Sequence, residues 1–349
     1  MAEKKVTFAD IAQYTGFSKT TISRYFNHPD SLTLENQERI REALDALGYK
    51  ENKLARIFAR GRSEFVGIIV PNLSMHFYSN LLSKILDTTE SSGYKFLVFN
   101  GDGDKEKERR CIQELLAYEI EGLIVISHTV KSEELHATGV PVVVIERECD
   151  HCSSVVSDNC NGAILATEKL IEDRCDILFH INADLQKNSP DYGRISGFRD
   201  TADRHGIPHR EYLKNFGNRK DEIQPIMKEI FEDIETNYKG KRKGIFLSND
   251  TITNVLINLI LRRYNRLPDD YRIIGFDDSP ISDEAVLPFS TIHQDTRRLA
   301  DTAMAILVEQ MENRKKRKPE PEEIVHKVIP VRLVERETTG DLPGKAGQP

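Results

Sequence analysis

Residues 6–27 read VTFADIAQYTGFSKTTISRYFN, and the order of their polar, apolar and glycine positions sets the architecture of the N-terminal end. Thr7 and Asp10 have the spacing of a capping box, with Asp in the place usually held by Glu or Gln, and Phe8, Ile11 and Ala12 follow as a short helical face. A helix is expected to start near Phe8. Gly16 stops it, and Ser18 stands where a second helix needs an N-cap oxygen, with Ile22 and Phe26 on its buried face. Further on, Thr33 can cap a third helix whose apolar positions Ile40, Leu44 and Leu47 share one stripe before Gly48 supplies a left-handed stop. Residues 1–50 therefore predict an all-α headpiece of the helix-turn-helix kind. The outer face of its second helix presents Lys19, Thr20, Thr21, Ser23 and Arg24, a set of donors and a methyl that suits phosphates and base edges in a major groove. The same residues would serve equally as a solvated face, and this helix alone does not separate the two readings.

The chain around this stretch has 349 residues, too many for one small domain, because single cores rarely grow past about 250 residues. Apolar residues at 39% and charged residues at 30% fit a globular cytoplasmic protein. No apolar run follows the first lysines, and no stretch reaches the roughly 18 uninterrupted apolar residues of a spanning helix, so neither export nor a membrane is expected. Five cysteines, an odd number without an export signal, make structural disulfides unexpected. Three of them, Cys149, Cys152 and Cys160, lie close together with His151. Zinc would need a second ligand pair at recognisable spacing, so buried or surface thiols are expected and no metal. The net charge of −7 is unevenly spread. Residues 1–62 hold 11 basic and 8 acidic side chains, a balance of +3, while the remainder holds 38 and 48, a balance of −10. The basic character sits where the three helices are expected.

From Phe65 onward short apolar runs alternate with longer helical stretches, the pattern of βαβ units around a parallel sheet. FVGIIV, KFLVFN, GLIVIS and VPVVVIE read as strands, with helices near Asn80–Ser91 and Lys105–Tyr118. A second series, DILFHI, GIFLS and RIIGF, is separated by helices near Asn161–Glu172, Tyr192–His205, Ile223–Asn237 and Ile252–Arg263. Two similar α/β halves are indicated.

The stretch quoted above, followed by LTLENQERIREALDALGYKENKLARIFARGRS, closely resembles the headpiece and hinge of the LacI/GalR family of bacterial regulators. The resemblance implies that Lys19, Thr20 and Arg24 face base edges and that Thr7, Ser18, Thr21, Ser23, Asn27 and Asn52 hold the DNA backbone. It also implies a hinge helix within residues 51–62, from Asn52 to Arg60, with Leu54, Ala55 and Phe58 at the minor groove, where an apolar wedge kinks the duplex. Two positions depart from the pattern. Glu51 replaces the usual proline, and Phe58 the usual wedging leucine. Arg56, Arg60 and Arg62 are left for phosphates or simply solubilise a linker.

The resemblance extends over about residues 6–340, through a periplasmic-binding-protein-like core that ends in VERETTG. It implies an effector-binding and dimerisation core over 63–340. One half is expected to take about 63–156 plus 293–322, the other about 157–292 plus 323–340, and a disordered tail to follow over 341–349. Ligands bind such folds between the halves, at the carboxyl ends of the strands. By motif position the effector residues are Arg194 and Phe198 in RISGF, Asn249 and Asp250 in LSND, Asp277 in GFDDS and Gln294 in TIHQD, with Phe77, Tyr78 and Glu146 beside them. A guanidinium and carboxylates at fixed positions suit neighbouring hydroxyls of a sugar. Met75 and His76 replace the family's usual Asn-Pro, and Arg219 falls where some members stack an aromatic ring, so a nucleobase or another metabolite stays open as the effector. The basic run Arg314–Lys318 reads as an exposed connection after a helix ending near Met311. With no heptad-bearing extension, a homodimer is expected, and its two-fold symmetry implies a palindromic double-stranded operator.

An enzyme is disfavoured. There is no G-x-S-x-G, P-loop, H-E-x-x-H or G-x-G-x-x-G, hence no cofactor is expected, and Asp277 with Asp278 is not an acid/base pair. A sugar-binding protein without a regulatory role would lack residues 1–62. The expectation is a DNA-binding regulator, commonly a repressor, whose operator affinity an effector changes.

Overall fold

The computed structural model describes residues 6–49, 63–184, 189–217 and 220–340, and the chain divides into two compact units at Arg62/Ser63. The expected hinge residues Glu51, Asn52, Leu54, Ala55 and Phe58, the arginines Arg56, Arg60 and Arg62, Arg219, and the tail after Gly340 lie outside the described residues.

The first unit contains α1 (Phe8–Thr15), α2 (Lys19–Asn27) and α3 (Leu34–Ala46), with a 3₁₀ turn at Pro29–Ser31. The caps are the expected ones. The Thr7 amide and hydroxyl both donate to Asp10 Oδ2, at 2.8 and 2.7 Å, Gly16 takes φ 73°, and Ser18 and Thr33 accept from the amides of Thr21 and Asn36. Each N-cap satisfies an amide that the start of a helix leaves without a partner, and the Gly16 amide donates to the Ala12 carbonyl at the end of α1. Ile11, Ile22, Ile40 and Ala43 form the centre, and the rings of Phe8 and Phe26 stack at 5.1 Å beside Tyr49.

The second unit is α/β, and its elements run β1 (Phe65–Val70), α4 (His76–Leu86), α5 (Thr89–Ser92), β2 (Lys95–Asn100), α6 (Lys105–Ala117), β3 (Gly122–Val125), α7 (Ser132–His136), β4 (Val142–Ile145), β5 (Ser153–Ser157), α8 (Asn159–Glu172), β6 (Ile177–Asn182), α9 (Tyr192–His205), β7 (His209–Leu213), α10 (Lys220–Asn237), β8 (Lys243–Leu247), α11 (Asp250–Tyr264), β9 (Tyr271–Asp277), α12 (Ile281–Glu284), β10 (Ser290–His293), α13 (Thr296–Lys315), β11 (His326–Ile329) and β12 (Arg332–Val334). The first sheet has the order β11-β5-β4-β3-β1-β2 and is parallel throughout. The second has the order β12-β10-β9-β8-β6-β7 and is parallel except for β12 against β10. Both faces of each sheet are covered, which is why the central strands read as continuous apolar runs. Val66, Ile68 and Val70 pack under α4 and α13, and Ile69, Leu123 and Val125 under α6. In the second half Phe179, Ile245 and Ile273 pack under α10 and α11, and Leu178, Phe246 and Phe276 under α8 and α9. Among the described residues no helix is long and apolar enough to cross a membrane.

Several boundaries differ from expectation. His326–Ile329 pairs with β5, so residues 323–329, assigned from sequence to the second half, belong to the first, and the last crossing lies between Ile329 and Arg332. α13 continues past Met311 to Lys315: Arg314 is paired with Glu322, and Lys315 with Glu121 at 2.8 Å, so these two cations close a helix rather than float in a connection. α4 starts at His76, four residues earlier than expected, because Met75 is still extended and Phe77 is already in the core. Cys149 and Cys152 form a disulfide, against expectation. Their Cα atoms stand 5.4 Å apart, within disulfide reach, because the chain between them makes one tight turn.

Candidate functional site

On the headpiece, Lys19, Thr20 and Arg24 are exposed on α2 and have no side-chain partner among the described residues. Ser18 and Thr21 are joined hydroxyl to hydroxyl at 2.9 Å at the helix start, where free amides and the helix dipole favour a phosphate. Thr7 is exposed at the start of α1, and Ser23 is half-buried. Asn27 ends α2; its side chain lies outside the described atoms.

In the second unit a cleft of about 670 Å³ opens between the halves. Its walls are the residues at or past the strand ends: Phe77 and Tyr78 beyond β1, His128 beyond β3, Glu146 to Glu148 beyond β4, Asn182 at the end of β6, Ser248 and Asn249 beyond β8, Asp277 at the end of β9 and Gln294 beyond β10. The chain reverses at these ends, and it does so under strain. Glu146, Asp277 and Asp278 adopt φ of 55°, 117° and 54°, in a region that favours glycine.

Arg194 is the centre of the cleft floor. Its Nε donates to Asn159 Oδ1 at 2.7 Å, one terminal nitrogen donates to the Ser248 carbonyl at 2.5 Å, and another stands 3.7 Å from Asp191. The guanidinium carbon lies over Phe276, 3.8 Å from the ring centroid, and the residue is 7% exposed. α9 can bring it there because Gly197 lies so close to α8 that a Cβ would stand 2.6 Å from the Cys160 carbonyl oxygen. Glu146 Oε1 accepts from the Ser157 amide and hydroxyl, both at 2.7 Å, and Asn159 Nδ2 approaches Oε2 at 3.4 Å. Burial, then the nearby Asp191, push the Glu146 carboxyl up, against Ser157 and Arg194. Asp277 Oδ1 accepts from Gln294 Nε2 at 2.7 Å, and burial with the neighbouring Asp250 raises its carboxyl, against Arg194. Among the described residues Gln294 Oε1 is buried without a partner. Phe77 and Tyr78 meet edge to face at 5.6 Å as an apolar wall. His76 Nδ1 and Thr251 Oγ1, 3.2 Å apart, touch from opposite halves.

Two residues named from sequence do not reach the cleft. Phe198 is fully buried under the second sheet, its ring stacked on His180 at 5.1 Å, because it faces the sheet one turn after Arg194. Asp250 is also fully buried. Its Oδ2 accepts from the Ser279 amide and hydroxyl at 2.8 and 3.0 Å, and its Oδ1 from Thr291 at 2.6 Å, so it braces the loop behind Asp277. Burial pushes this carboxyl up to about 7. Asn249 lines the cleft, yet its Oδ1 caps α11 by accepting from the Ile252 amide. Sequence reasoning missed His128, Arg147, Glu148, Asn182, Asp184, Asp191 and Phe216. The first three stand just past the end of a strand that was legible, and Asn182 is the last residue of another, so the strand-end rule alone would have found them. Arg147 is tied to the carbonyls of Ser127 and Val130, and burial keeps His128 below its ordinary range, hence neutral. Among the described lining residues, five carboxyl side chains and two guanidiniums face a mixed polar and aromatic space. Such a surface offers many acceptors and fixed donors to a hydroxyl-rich ligand.

Comparison with known proteins agrees with this layout. Residues 7–52 match the family of bacterial regulatory proteins of the lacI type, residues 63–224 the periplasmic binding proteins and sugar binding domain of the LacI family, and residues 167–339 a periplasmic binding protein-like domain. The ribose operon repressor of Halalkalibacterium halodurans is 28% identical over 334 residues, 95% of this chain and 97% of that one. The sucrose operon repressor of Streptococcus mutans is 28% identical over 306 residues, 87% and 92% of the two chains. The lac repressor dimer bound to operator and the anti-inducer ONPF superimposes with a TM-score of 0.79 at 22% identity, covering 96% of this chain and 99% of that one. A periplasmic binding protein/LacI transcriptional regulator from Alkaliphilus metalliredigens complexed with D-xylulofuranose gives 0.66 at 27% identity, covering 80% and 100%. The matched segments run in order from residue 7 to residue 339, and the chain belongs to the LacI family of bacterial regulatory proteins, transcriptional regulators rather than enzymes.

Proposed function

We propose that this regulator binds a palindromic operator as a homodimer and that a sugar or sugar derivative, held in the cleft between the core halves, changes its operator affinity. The observation that carries the reading is the convergence of Arg194, Asp277, Glu146 and Gln294 beside the Phe77–Tyr78 wall at the strand ends of both sheets. Paired oxygens and a fixed guanidinium meet neighbouring hydroxyls, and aromatic rings cover the apolar face of a sugar. The named relatives and the D-xylulofuranose complex support a sugar as the class. Lys19, Thr20 and Arg24 read base edges, while Thr7, Ser18, Thr21, Ser23, Asn27 and Asn52 hold phosphates. Leu54, Ala55 and Phe58 of the hinge enter the minor groove. Closure of the halves on the effector alters the hinge and so the fit to DNA.

A thermal-shift screen of the full chain against sugars, sugar phosphates and nucleobases tests the cleft, because a ligand of the folded state raises the melting temperature. A sugar shift that disappears in Asp277→Ala supports the reading. A shift with nucleobases and none with sugars keeps the regulator and discards the sugar. Linkage supplies the second test: an effector that weakens operator binding must itself bind the operator complex less tightly, and equal effector affinity with and without DNA would sink the coupling.

A further inference from the structure

β4 and β5 are parallel neighbours, yet only residues 146–152 join them. A parallel connection ordinarily takes a dozen or more residues, because the chain must travel back along the strand before it can pair again. This return is therefore short and taut, and the Cys149–Cys152 disulfide lies within it. Both sulfur-bearing residues are buried, at 4% and 5% exposure, in the apolar layer that also holds Ile69, Val125 and Val144. Asp150 and His151 at the tip are exposed, and His136 Nδ1 donates to the His151 carbonyl at 3.1 Å.

The two ends of the loop are the two pieces that hold the cleft wall. Glu146 stands three residues before Cys149, and β5 begins directly after Cys152 and ends in Ser157, whose amide and hydroxyl fix Glu146. Asn159 continues the line, donating toward Glu146 and accepting from Arg194. We propose that Cys149 and Cys152 form a reversible thiol–disulfide clasp on this wall, through which a low-molecular-weight disulfide of the glutathione type adjusts the effector cleft. The proposal rests on the assignment of Glu146 and Arg194 to effector binding. A disulfide in a DNA-binding bacterial protein works against a reducing compartment, where the disulfides that do form are mostly transient, catalytic or redox-sensing.

The chemistry balances. The thiolate of one cysteine attacks a sulfur of the oxidised disulfide, forming a mixed disulfide and expelling one small thiolate. The second cysteine thiolate then attacks the protein sulfur of that mixed disulfide and expels the second. Two protein thiols lose two electrons and two protons, and the small disulfide becomes two thiols. Reduction runs the same steps backward. Because the sulfurs are buried, either direction requires the taut loop to open.

The test equilibrates the full chain in glutathione buffers from fully reduced to fully oxidised. Mass mapping after alkylation is expected to show the 149–152 segment changing, within that range, from two alkylated thiols to an unalkylated disulfide, two hydrogens lighter than the free dithiol. Amide exchange then compares the end states. Closing so short a loop stabilises it modestly, so residues 146–159 should exchange on the order of tenfold faster when reduced. Residues 191–198 should follow to a smaller degree, and Tyr271–Asp277 should not change. Cys149→Ser/Cys152→Ser should show the reduced pattern in both buffers, whereas Cys111→Ser should keep the response. If the double variant does not fold, the unmodified chain alone still decides. A segment that stays reduced, or stays oxidised, across the whole range overturns the clasp, as does identical exchange in the two forms. No step uses an effector, so a failed sugar screen leaves the result readable.

Discussion

Replacing Arg194 with methionine keeps most of the aliphatic stem and removes the charge and five donors that lie over Phe276. The structure sets the size of the loss. Asn159 Oδ1 and the Ser248 carbonyl each lose a close charge-assisted donor. A buried acceptor left without a partner costs about 1–3 kcal/mol. The cation over the Phe276 ring goes as well, worth up to about 2 kcal/mol when desolvated. Against these stands the desolvation of the guanidinium itself, which is no longer required. We expect a net destabilisation of about 3 kcal/mol, read as a lower urea midpoint with an unchanged slope at pH 7. The loss should depend on pH in a definite direction. Arg194 holds down the carboxyls of Asp277 and Glu146, which burial pushes up, so without it both rise further in the folded state. A group whose folded pKa is raised contributes stability at low pH that is lost as pH climbs through the folded value. The difference between the native chain and Arg194→Met should therefore shrink from pH 7 to pH 5. A difference that grows toward pH 5, or a variant as stable as the native chain at pH 7, would refute the view that the guanidinium offsets buried carboxylates. The same variant should lose any sugar-dependent thermal shift at both pH values.

Phe198→Ala should cost about 3–5 kcal/mol in urea unfolding while leaving effector affinity intact wherever the chain is folded; lost binding at unchanged stability would return Phe198 to the cleft. Burial pushes Asp278 up, but hydrogen bonds from His293 and Arg336 outweigh it and hold the carboxyl down to about 2. Its folded pKa is depressed, so the stabilisation is present above the unfolded value of about 3.9 and disappears as pH falls toward 2, roughly 1 kcal/mol after solvent screening. Urea midpoints at pH 5 and pH 3 should drop less in Arg336→Ala than in the native chain, and an equal drop would contradict the assignment. Arg24→Ala should relax the sequence preference recovered by selection from random duplexes, at a cost of about 1–3 kcal/mol for the preferred site; recovery of the same sites with the same affinity would remove Arg24 from base reading.

The strands and the headpiece were legible in sequence for a shared reason: their signals are local. A cap three residues before its amide, a glycine at a left-handed stop or an apolar run wide enough to be buried on both faces needs no knowledge of the rest of the chain. β5, β7 and β10 to β12 were not legible. SSVVS and HREYL carry few apolar residues, and their pairing partners decide them rather than their composition. β11 lies at a sheet edge with exposed side chains, which is why its half was misassigned. The cleft was legible only as far as motif positions correlate with direction. Arg194 and Phe198 share α9 one turn apart, but the first stacks on Phe276 under the cleft and the second fills the layer beneath. Asp250 is expected at the ligand from its motif position in LSND, yet Gly275 leaves just enough room for it to turn inward: a Cβ there would meet Asp250 Oδ1 at 2.5 Å.

The positions that brace the cleft are also those where the chain passes between halves. Glu146 is fixed by Ser157 and Asn159, on the first crossing, and Arg194 by the same Asn159. Asp277 is fixed by Gln294, on the second crossing, directly after β10. Asn80 Nδ2 reaches Thr296 Oγ1 at 3.5 Å just beyond it. A rotation of one half against the other must change backbone angles at these crossings and at the third, between Ile329 and Arg332, because these three are the covalent links between the halves. Any ligand that bonds Arg194 or Asp277 therefore pulls on side chains whose second partners sit on the hinge itself. Coupling between occupancy and interdomain angle then needs no long relay: two hydrogen bonds would separate a ligand atom bonded to Arg194 or Asp277 from the backbone of a crossing.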